Sequence, residues 1–248
     1  MHQVFNARKT SLKYRVRWSH IYRFYEAVEP YLKISLPLEN IPKGEKILVL
    51  SPHIDDETIG CGGTLFKHAA AGHTVTVLFL ADCTEERQKE GEAAGKILGV
   101  SKRIYWEYQS KTLNKFPEIR GRLIDLIKET DPDVVYLPSF IDRHNDHVTL
   151  NYYFFQALKN LKKNFMIYSY EVWTTLIPNV VVDISDQVEI KKRAMACYPS
   201  QLAGHNWLEG TLSLNRYRGM VSNAKSHGEA FFRMSPDNYI KLWNRLYG

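Results

Sequence analysis

The sequence of 248 residues lacks the features that mark several protein classes. Its three cysteines, Cys61, Cys83 and Cys197, have no CxxC spacing, so we expect no disulfide framework and a reducing compartment. No apolar run approaches the ~20 residues that span a bilayer, and no N-terminal stretch resembles a signal peptide. Internal repeats and low-complexity segments are also missing from the sequence. We therefore expect a cytoplasmic protein.

The composition is that of an ordinary folded domain. Hydrophobic residues make up 44% of the chain and charged residues 24%, which is usual for globular proteins. Apolar, strand-like runs alternate with helical patterns, and the run Ile47–Leu50 is wholly aliphatic, as in a strand covered on both faces. The alternation predicts an α/β, Rossmann-like fold with a mostly parallel sheet flanked by helices. In such sheets the active site lies at the carboxyl ends of the strands. After a strand at 179–184, we expect mostly helix.

The chain divides by composition near residue 45, where Pro42-Lys43-Gly44 signals a turn. We expect residues 1–45 to form a basic, aromatic appendage and residues 46–248 to form the main domain. The basic residues of the appendage include Lys9, Lys13, Arg15, Arg17 and Arg23, and its aromatic residues include Tyr14, Trp18, Tyr22, Phe24 and Tyr25. Two interpretations stay open: peripheral contact with the anionic inner face of a membrane, or packing of the aromatics on the main domain. No recognised nucleic-acid module follows, so we expect no nucleic-acid partner.

A first cluster of polar residues follows the strand that contains Ile47–Leu50. In Ser51-Pro52-His53-Ile54-Asp55-Asp56-Glu57, His53 and Asp56 are three residues apart on a tight turn, so both can reach one metal ion. Asp55 leaves the backbone in another direction and is free to act as a base. The alternative is a capped helix start, in which Asp55 or Asp56 accepts hydrogen bonds from helix N–H groups.

A second cluster, Asp142-Arg143-His144-Asn145-Asp146-His147, follows the apolar run Val134–Pro138. The spacing of His144 and His147 places both on one face of a first helical turn. One His–Asp pair and one distant histidine would provide three protein ligands and leave a position for water, which is the pattern of catalytic zinc sites.

Together these clusters resemble the LmbE/PIG-L family of zinc-dependent N-deacetylases. The resemblance runs from about Lys46 to the end of the chain and rests mainly on Pro52–Glu57 and His144–His147. It departs from the family at Ile54 and Asn145, where proline is usual. Supporting segments are Gly60-Cys61-Gly62-Gly63, Arg87-Gln88-Lys89-Glu90, Leu98-Gly99-Val100, Tyr198-Pro199-Ser200-Gln201 and Gly228-Glu229-Ala230-Phe231.

The resemblance implies a ligand set and a reaction. His53, Asp56 and His147 would hold one Zn²⁺ per chain, with another divalent metal as the alternative. Asp55 would be the general base of amide hydrolysis. The substrate would be a small-molecule amino-sugar conjugate of the N-acetylglucosamine type, from which the acetyl group is removed. Two alternatives are a metal-dependent amidase of another N-acyl conjugate and a non-catalytic carbohydrate-binding relative. The group attached to the sugar and the oligomeric state stay open.

The resemblance also implies roles for other residues of the second cluster. His144 would stabilise the oxyanion by a hydrogen bond or a positive charge, and Asp146 would orient His144. For Arg143 the residues themselves leave two interpretations open: contact with the substrate, or pairing with Asp142 on the surface.

The glycine run Gly60-Cys61-Gly62-Gly63 has two interpretations. It could form a nucleotide or methyl-donor loop, but such loops place their glycines directly after the strand, and here His53–Glu57 occupies that turn. We expect instead that these small residues let a helix pack closely on the sheet. Glu57, Arg87 and Glu90 are expected to be structural.

Overall fold

The computed structural model describes residues 17–32, 36–161 and 164–247, so Lys9, Lys13, Tyr14 and Arg15 lie outside it. Within these residues, a central sheet separates two layers of helices. The strands of the sheet are β1 (Leu38–Glu39), β2 (Lys46–Ser51), β3 (Thr74–Ala81), β4 (Lys102–Tyr108), β5 (Val134–Pro138), β6 (Met166–Tyr170), β7 (Val180–Asp183) and β8 (Gly228–Met234). The α-helices are α1 (Trp18–Val28), α2 (Asp56–Ala70), α3 (Glu85–Leu98), α4 (Ile119–Thr130), α5 (Asn145–Leu158), α6 (Val188–Met195), α7 (Pro199–Leu202), α8 (Trp207–Ser222) and α9 (Pro236–Tyr247).

The strand order in the sheet is β1-β7-β8-β6-β5-β2-β3-β4. Neighbouring strands run parallel except at β8, which is antiparallel to both β6 and β7. The predicted α/β fold with a mostly parallel sheet is therefore confirmed. The chain after β7 is mostly helical, as expected, but the strand β8 within it was not predicted. This strand joins β6 to β7 through pairings that become available only in the folded sheet, so its local pattern did not reveal it.

β2 and β5 are adjacent in the middle of the sheet, which places the loops that follow them side by side. Along β2, Ile47 and Val49 face one apolar layer, and Leu48 and Leu50 face the other. None of the four is more than 2% exposed. Burial on both faces explains the uninterrupted aliphatic run.

α3 shows how local sequence sets the ends of a helix. The Thr84 hydroxyl accepts a hydrogen bond from the Arg87 backbone N–H at the first turn, and such a cap satisfies one of the unpaired N–H groups. At the other end, Gly99 adopts φ +72°, a conformation that glycine takes without steric cost. The helix predicted at 85–98 is confirmed.

The glycine run lies inside α2, where the helix kinks at Cys61 with φ −144°. A Cβ atom at Gly60 would lie 2.2 Å from the ring of Tyr170, and one at Gly63 would lie 2.8 Å from Ile184. These glycines therefore let the helix pack closely on its neighbours, as predicted.

The kink leaves backbone groups without helical partners, and a buried ion pair satisfies them. The Glu229 carboxylate accepts hydrogen bonds from Gly63 N at 2.9 Å and Thr64 N at 2.8 Å. The Lys191 ammonium donates to Ile59 O at 2.8 Å and lies 2.6 Å from Glu229 Oε1. Both side chains of the pair are fully buried. Glu229 thus acts as an internal cap for the second half of α2.

The described part of the predicted appendage contacts the main domain. Phe24 of α1 is buried, and its ring centroid lies 5.7 Å from that of Phe140. β1 pairs in parallel with β7, Leu38 opposite Val181. Helix α1 and strand β1 therefore belong to the same core and sheet as the rest. A division of the chain at residue 45 stays a prediction.

We expect Lys191→Ala to destabilise the protein by about 3–5 kcal/mol, because it leaves the Glu229 carboxylate buried without its cation. Chemical denaturation at neutral pH measures this as a fall in the unfolding midpoint. The adjacent, exposed Lys192 is the matched control, and Lys192→Ala should leave the midpoint unchanged. Equal midpoints for the two variants would contradict the assigned role of the pair.

Candidate metal centre and active-site cleft

The first cluster forms a buried turn between β2 and α2. The Ser51 hydroxyl donates to His53 O at 2.8 Å, and the His53 backbone N–H donates to Asp56 Oδ2 at 2.9 Å. His53 and Asp56 are therefore held together by the turn itself, as their spacing predicted.

Asp55 sits at the N-terminal end of α2 in a strained conformation, with φ +145°. Non-glycine residues rarely adopt such angles, and they persist where the surroundings enforce them. Here the Asp55 N–H donates to Glu57 Oε2 at 3.2 Å, and Arg87 donates to Ile54 O at 2.7 Å. The Arg87 guanidinium also lies 3.7 Å from Asp55 Oδ1. The expected structural roles of Glu57 and Arg87 agree with these contacts.

The second cluster leads into α5. His144 is the N-cap residue, and its Nδ1 accepts a hydrogen bond from the Asp146 backbone N–H at 3.2 Å. Asp146 and His147 lie in the first helical turn and are buried, and His147 is completely inaccessible. The capping contact orients the His144 ring, while the helix carries His147 towards β2.

The two clusters meet at the Asp56 carboxylate. Asp56 Oδ2 lies 3.2 Å from His53 Nδ1 and 3.2 Å from His147 Nε2. Ligands that bind a tetrahedral ion at about 2.0–2.1 Å are separated by roughly 3.3 Å, so these spacings match. Neither ring nitrogen of His147 has a hydrogen-bond partner among the described residues. Buried polar atoms without partners are rare, and a bound cation would satisfy Nε2. The donors therefore fit a divalent ion.

A second donor set shares two of these residues. One ligand atom each from His53, His144 and His147 lies within 4.8 Å of the others. This set replaces Asp56 with His144. His144 already uses Nδ1 in its capping contact. Asp56 Oδ2 lies 3.2 Å from a ring nitrogen of both His53 and His147, which favours the set that contains Asp56.

Carboxylates lie behind the rings of both His53 and His147. Asp146 Oδ2 is 3.0 Å from His53 Nε2 and accepts the Lys111 backbone N–H at 2.7 Å. Asp142 Oδ1 is 3.5 Å from His147 Nδ1. Such carboxylates orient metal-binding histidines and raise their basicity. The Asp146 carboxylate thus contacts His53, whereas we had predicted that it orients His144; only its backbone N–H reaches His144.

Asp142 does not pair with Arg143 on the surface, one of the two alternatives for this pair. Its side chain is fully buried, and it accepts hydrogen bonds from His144 N at 2.9 Å and Trp173 N at 3.0 Å. Arg143 is exposed, and its backbone N–H donates to Thr174. Arg143 is not among the residues that line the cleft described below, so its contact with substrate stays a prediction. The apolar Phe140-Ile141 before Asp142 was the sequence signal for burial.

Electrostatics in the cluster favour a cation. Burial lowers the pKa of His53, but hydrogen bonds to Asp146 and Asp56 outweigh it and raise the pKa to about 9. Burial likewise opposes protonation of His147, and the negative charges of Asp56 and Asp142 raise its pKa well above the usual value. Burial and the neighbouring Asp56 charge raise the pKa of Asp55. Several carboxylates in one buried volume thus require compensating positive charge, from imidazolium groups or a metal ion.

His144 differs from the other two histidines. Burial, with the charges of His53 and His147, lowers its pKa to about 4, so the ring is neutral at pH 7. Because Nδ1 accepts the Asp146 N–H, the hydrogen-bond network assigns the proton to Nε2. His144 is therefore a neutral ring with an Nε2–H donor, and its role at an oxyanion stays a prediction.

The cluster opens into a cleft of about 310 Å³ at the carboxyl edge of the sheet. Several of its residues were not identified from the sequence as site residues. They are Asp82, Ser110, Trp173, Ser200, Gln201, His205 and Trp207. Asp82 directly follows β3, a position that could have revealed it. Ser200 is held by Glu90, which accepts its N–H at 2.8 Å and its hydroxyl at 2.6 Å, consistent with a structural Glu90.

Comparison with known proteins places both clusters within one family match. Residues 48–158, which include both clusters, match the family model described as "PIG-L: GlcNAc-PI de-N-acetylase". The diacetylchitobiose deacetylase of Thermococcus kodakarensis is 27% identical, and the alignment covers 71% of this chain and 76% of the relative.

Two solved structures share the fold. A conserved protein of Thermus thermophilus superposes with a TM-score of 0.69 at 28% identity, covering 77% of this chain and 95% of that chain. The N,N'-diacetylchitobiose deacetylase of Pyrococcus horikoshii, solved with an inhibitor, superposes with a TM-score of 0.70 at 24% identity, covering 79% and 86%. The resemblance inferred from the two motifs is confirmed.

Metal content of two variants separates the two donor sets. We expect Asp56→Ala to lose the metal and His144→Ala to keep about one equivalent, because a zinc site needs three protein ligands. Elemental analysis of desalted protein, after incubation with Zn²⁺, measures the occupancy. His205→Ala, at the rim of the cleft, controls for general loss of structure. The reverse pattern would assign the three-histidine set.

Proposed function

We propose, on the premise that this chain carries an LmbE/PIG-L family domain, that it is a metal-dependent hydrolase that deacetylates an N-acetylated amino sugar. The observation that carries the proposal is the meeting of His53, Asp56 and His147 beside the strained Asp55 in an open cleft. Two imidazoles and one carboxylate suit Zn²⁺, so we propose one zinc ion per chain, with another divalent metal as the alternative.

Each residue around the metal has its own role in the reaction. A bound divalent ion supplies Lewis-acid polarisation of the amide carbonyl and lowers the pKa of water. Asp55 accepts the proton of the attacking water and then transfers it to the leaving amine. The C–N bond breaks, and acetate and the free amino sugar leave. His144 donates its Nε2 proton in a hydrogen bond to the oxyanion of the tetrahedral intermediate.

The substrate class rests on relatives and on the cleft. Relatives named as diacetylchitobiose deacetylases support an acetylated amino sugar, and the cleft is larger than an acetamido group alone requires. A metal-dependent amidase of another small N-acyl conjugate is the alternative. A non-catalytic carbohydrate-binding relative is less compatible, because Asp55 and all three donors are present.

Asp55→Asn tests the general base. We expect the variant to keep its metal and to release acetate about 10²–10⁴-fold more slowly, because an amide cannot accept the proton. Acetate release from N-acetylglucosamine and its nucleotide, inositol and oligosaccharide conjugates measures the activity and identifies the preferred substrate. Asp125→Asn, on the exposed face of α4, is the control.

Unchanged turnover in the metal-loaded Asp55→Asn protein would exclude Asp55 as the general base. Absence of acetate release from the whole panel by the wild type would exclude the proposed function.

We also propose that α1 contacts an anionic membrane surface. Six of the 33 arginine and lysine residues, and none of the 27 acidic residues, lie in residues 1–25, so this segment accounts for the whole net charge of +6. Trp18, Tyr22 and Tyr25 are 86%, 67% and 51% exposed, and their i, i+4, i+7 spacing places them on one helix face. Aromatic and basic side chains on one helix suit the interface of anionic lipids. No helix in the described ranges is long and apolar enough to cross a membrane.

Vesicle co-sedimentation of the full chain tests this surface. Arg17→Glu with Arg23→Glu should weaken binding to vesicles that contain phosphatidylglycerol, by about fivefold or more per residue. Trp18→Ser with Tyr22→Ser should weaken it as well, and high salt should weaken the wild type. The matched controls are Lys96→Glu with Lys128→Glu and, for the aromatics, Tyr217→Ser. Equal sedimentation of all variants would leave packing on the domain as the role of the segment.

A further inference from the structure

Trp173 presents a large aromatic surface at the mouth of the cleft. It lies three residues after β6, at the same edge of the sheet as the metal-binding cluster, and is 43% exposed. An indole at this degree of exposure beside a catalytic cluster leaves apolar area in water that a ligand can cover.

Trp173 is held by the same buried carboxylate that contacts two histidines of the site. Its backbone N–H donates to Asp142 Oδ2 at 3.0 Å. Asp142 Oδ1 accepts the His144 backbone N–H and lies beside His147. The indole is nearly parallel to the His144 ring, with centroids 6.2 Å apart and 28° between the planes. One buried carboxylate therefore ties the backbones of His144 and Trp173 together and lies beside the His147 ring.

Two further rings support the indole. The rings of Trp207 and Trp173 are perpendicular, with centroids 4.7 Å apart and an interplanar angle of 89°. The His205 ring is also perpendicular to that of Trp173, at 5.8 Å and 89°. Edge-to-face contacts of this kind are favourable, so they hold the indole in place without the ordering that a mobile side chain would need on binding.

Polar groups complete the cleft around this aromatic wall. Asp82, Ser110 and Gln201 line the same cleft, and they offer hydrogen-bond donors and acceptors. A pyranose ring has a face of C–H groups and a rim of hydroxyls. Its C–H face would pack on the indole, and its hydroxyls would reach the polar groups.

We propose that Trp173 is a substrate-binding residue whose indole packs against the pyranose ring that bears the N-acyl group. The proposal rests on the proposed function and deepens it, because it selects cyclic amino sugars over acyclic N-acyl compounds. Trp207 and His205 act through Trp173 as positioning residues.

Two substitutions at Trp173 test the proposal. We expect Trp173→Ala to raise KM for an N-acetylglucosamine-type substrate about tenfold or more, as truncation of a central aromatic contact does, and to leave kcat within about threefold. Trp173→Phe keeps a ring and should restore most of the lost binding. Metal content should stay unchanged in both. Tyr217→Ala, an exposed aromatic on α8 outside the cleft, is the control and should match the wild type.

Calorimetric measurement of glucosamine binding at equilibrium tests the role of Trp173 independently of deacetylation. If the wild type binds glucosamine and Trp173→Ala does not, the binding role stands even where no substrate in the panel releases acetate. If Trp173→Ala binds glucosamine and retains KM like the wild type, the proposal is overturned while the deacetylase function survives. A fall in kcat at unchanged KM that Trp173→Phe does not rescue would also overturn it, since Trp173 would then act only by positioning His144.

Discussion

The buried charge of Asp56 is the interaction on which the site depends. Its Oδ2 atom accepts the His53 backbone N–H and lies 3.2 Å from a ring nitrogen of both His53 and His147. This one oxygen joins the turn after β2 to the first turn of α5, which are far apart in sequence. A carboxylate in so dry a place is costly unless it is paired. Burial opposes its ionisation, yet the neighbouring imidazoles lower its pKa well below the usual value.

The surrounding structure can be understood as support for that charge. Asp146 and Asp142 lie behind the two imidazoles, so the rings are held from the side opposite the nitrogens that face Asp56. The backbone of Asp55 is strained, and Glu57 with Arg87 holds it there. Farther from the site, the Lys191–Glu229 pair provides hydrogen-bond partners for the backbone groups left unpaired at the kink in α2. The helix that begins at Asp56 can therefore pack closely on the sheet.

Much of the site was predictable from local patterns. His53 and Asp56 are three residues apart on one turn, so their proximity followed from spacing alone. That the second cluster lies beside the first followed from the expectation that parallel strands deliver their loops to one edge, and the family resemblance singled out His147 within it. The differences between expectation and structure concern hydrogen-bond partners. A surface pairing was one alternative for Asp142, but Asp142 is buried beside His147, and the Asp146 carboxylate contacts a different histidine from the predicted one. Sequence distance does not encode which ring a buried carboxylate meets.

The sequence by itself determined the α/β class, the aliphatic central strand and the residue types able to bind a metal, because periodicity and turn spacing are local properties. Only the tertiary structure decided that β8 enters the sheet antiparallel between β6 and β7. It alone brought Trp173 beside His144 and assigned the His144 proton to Nε2. These features depend on contacts between segments distant in the chain, and such contacts form only when the apolar layers on both faces of the sheet pack together.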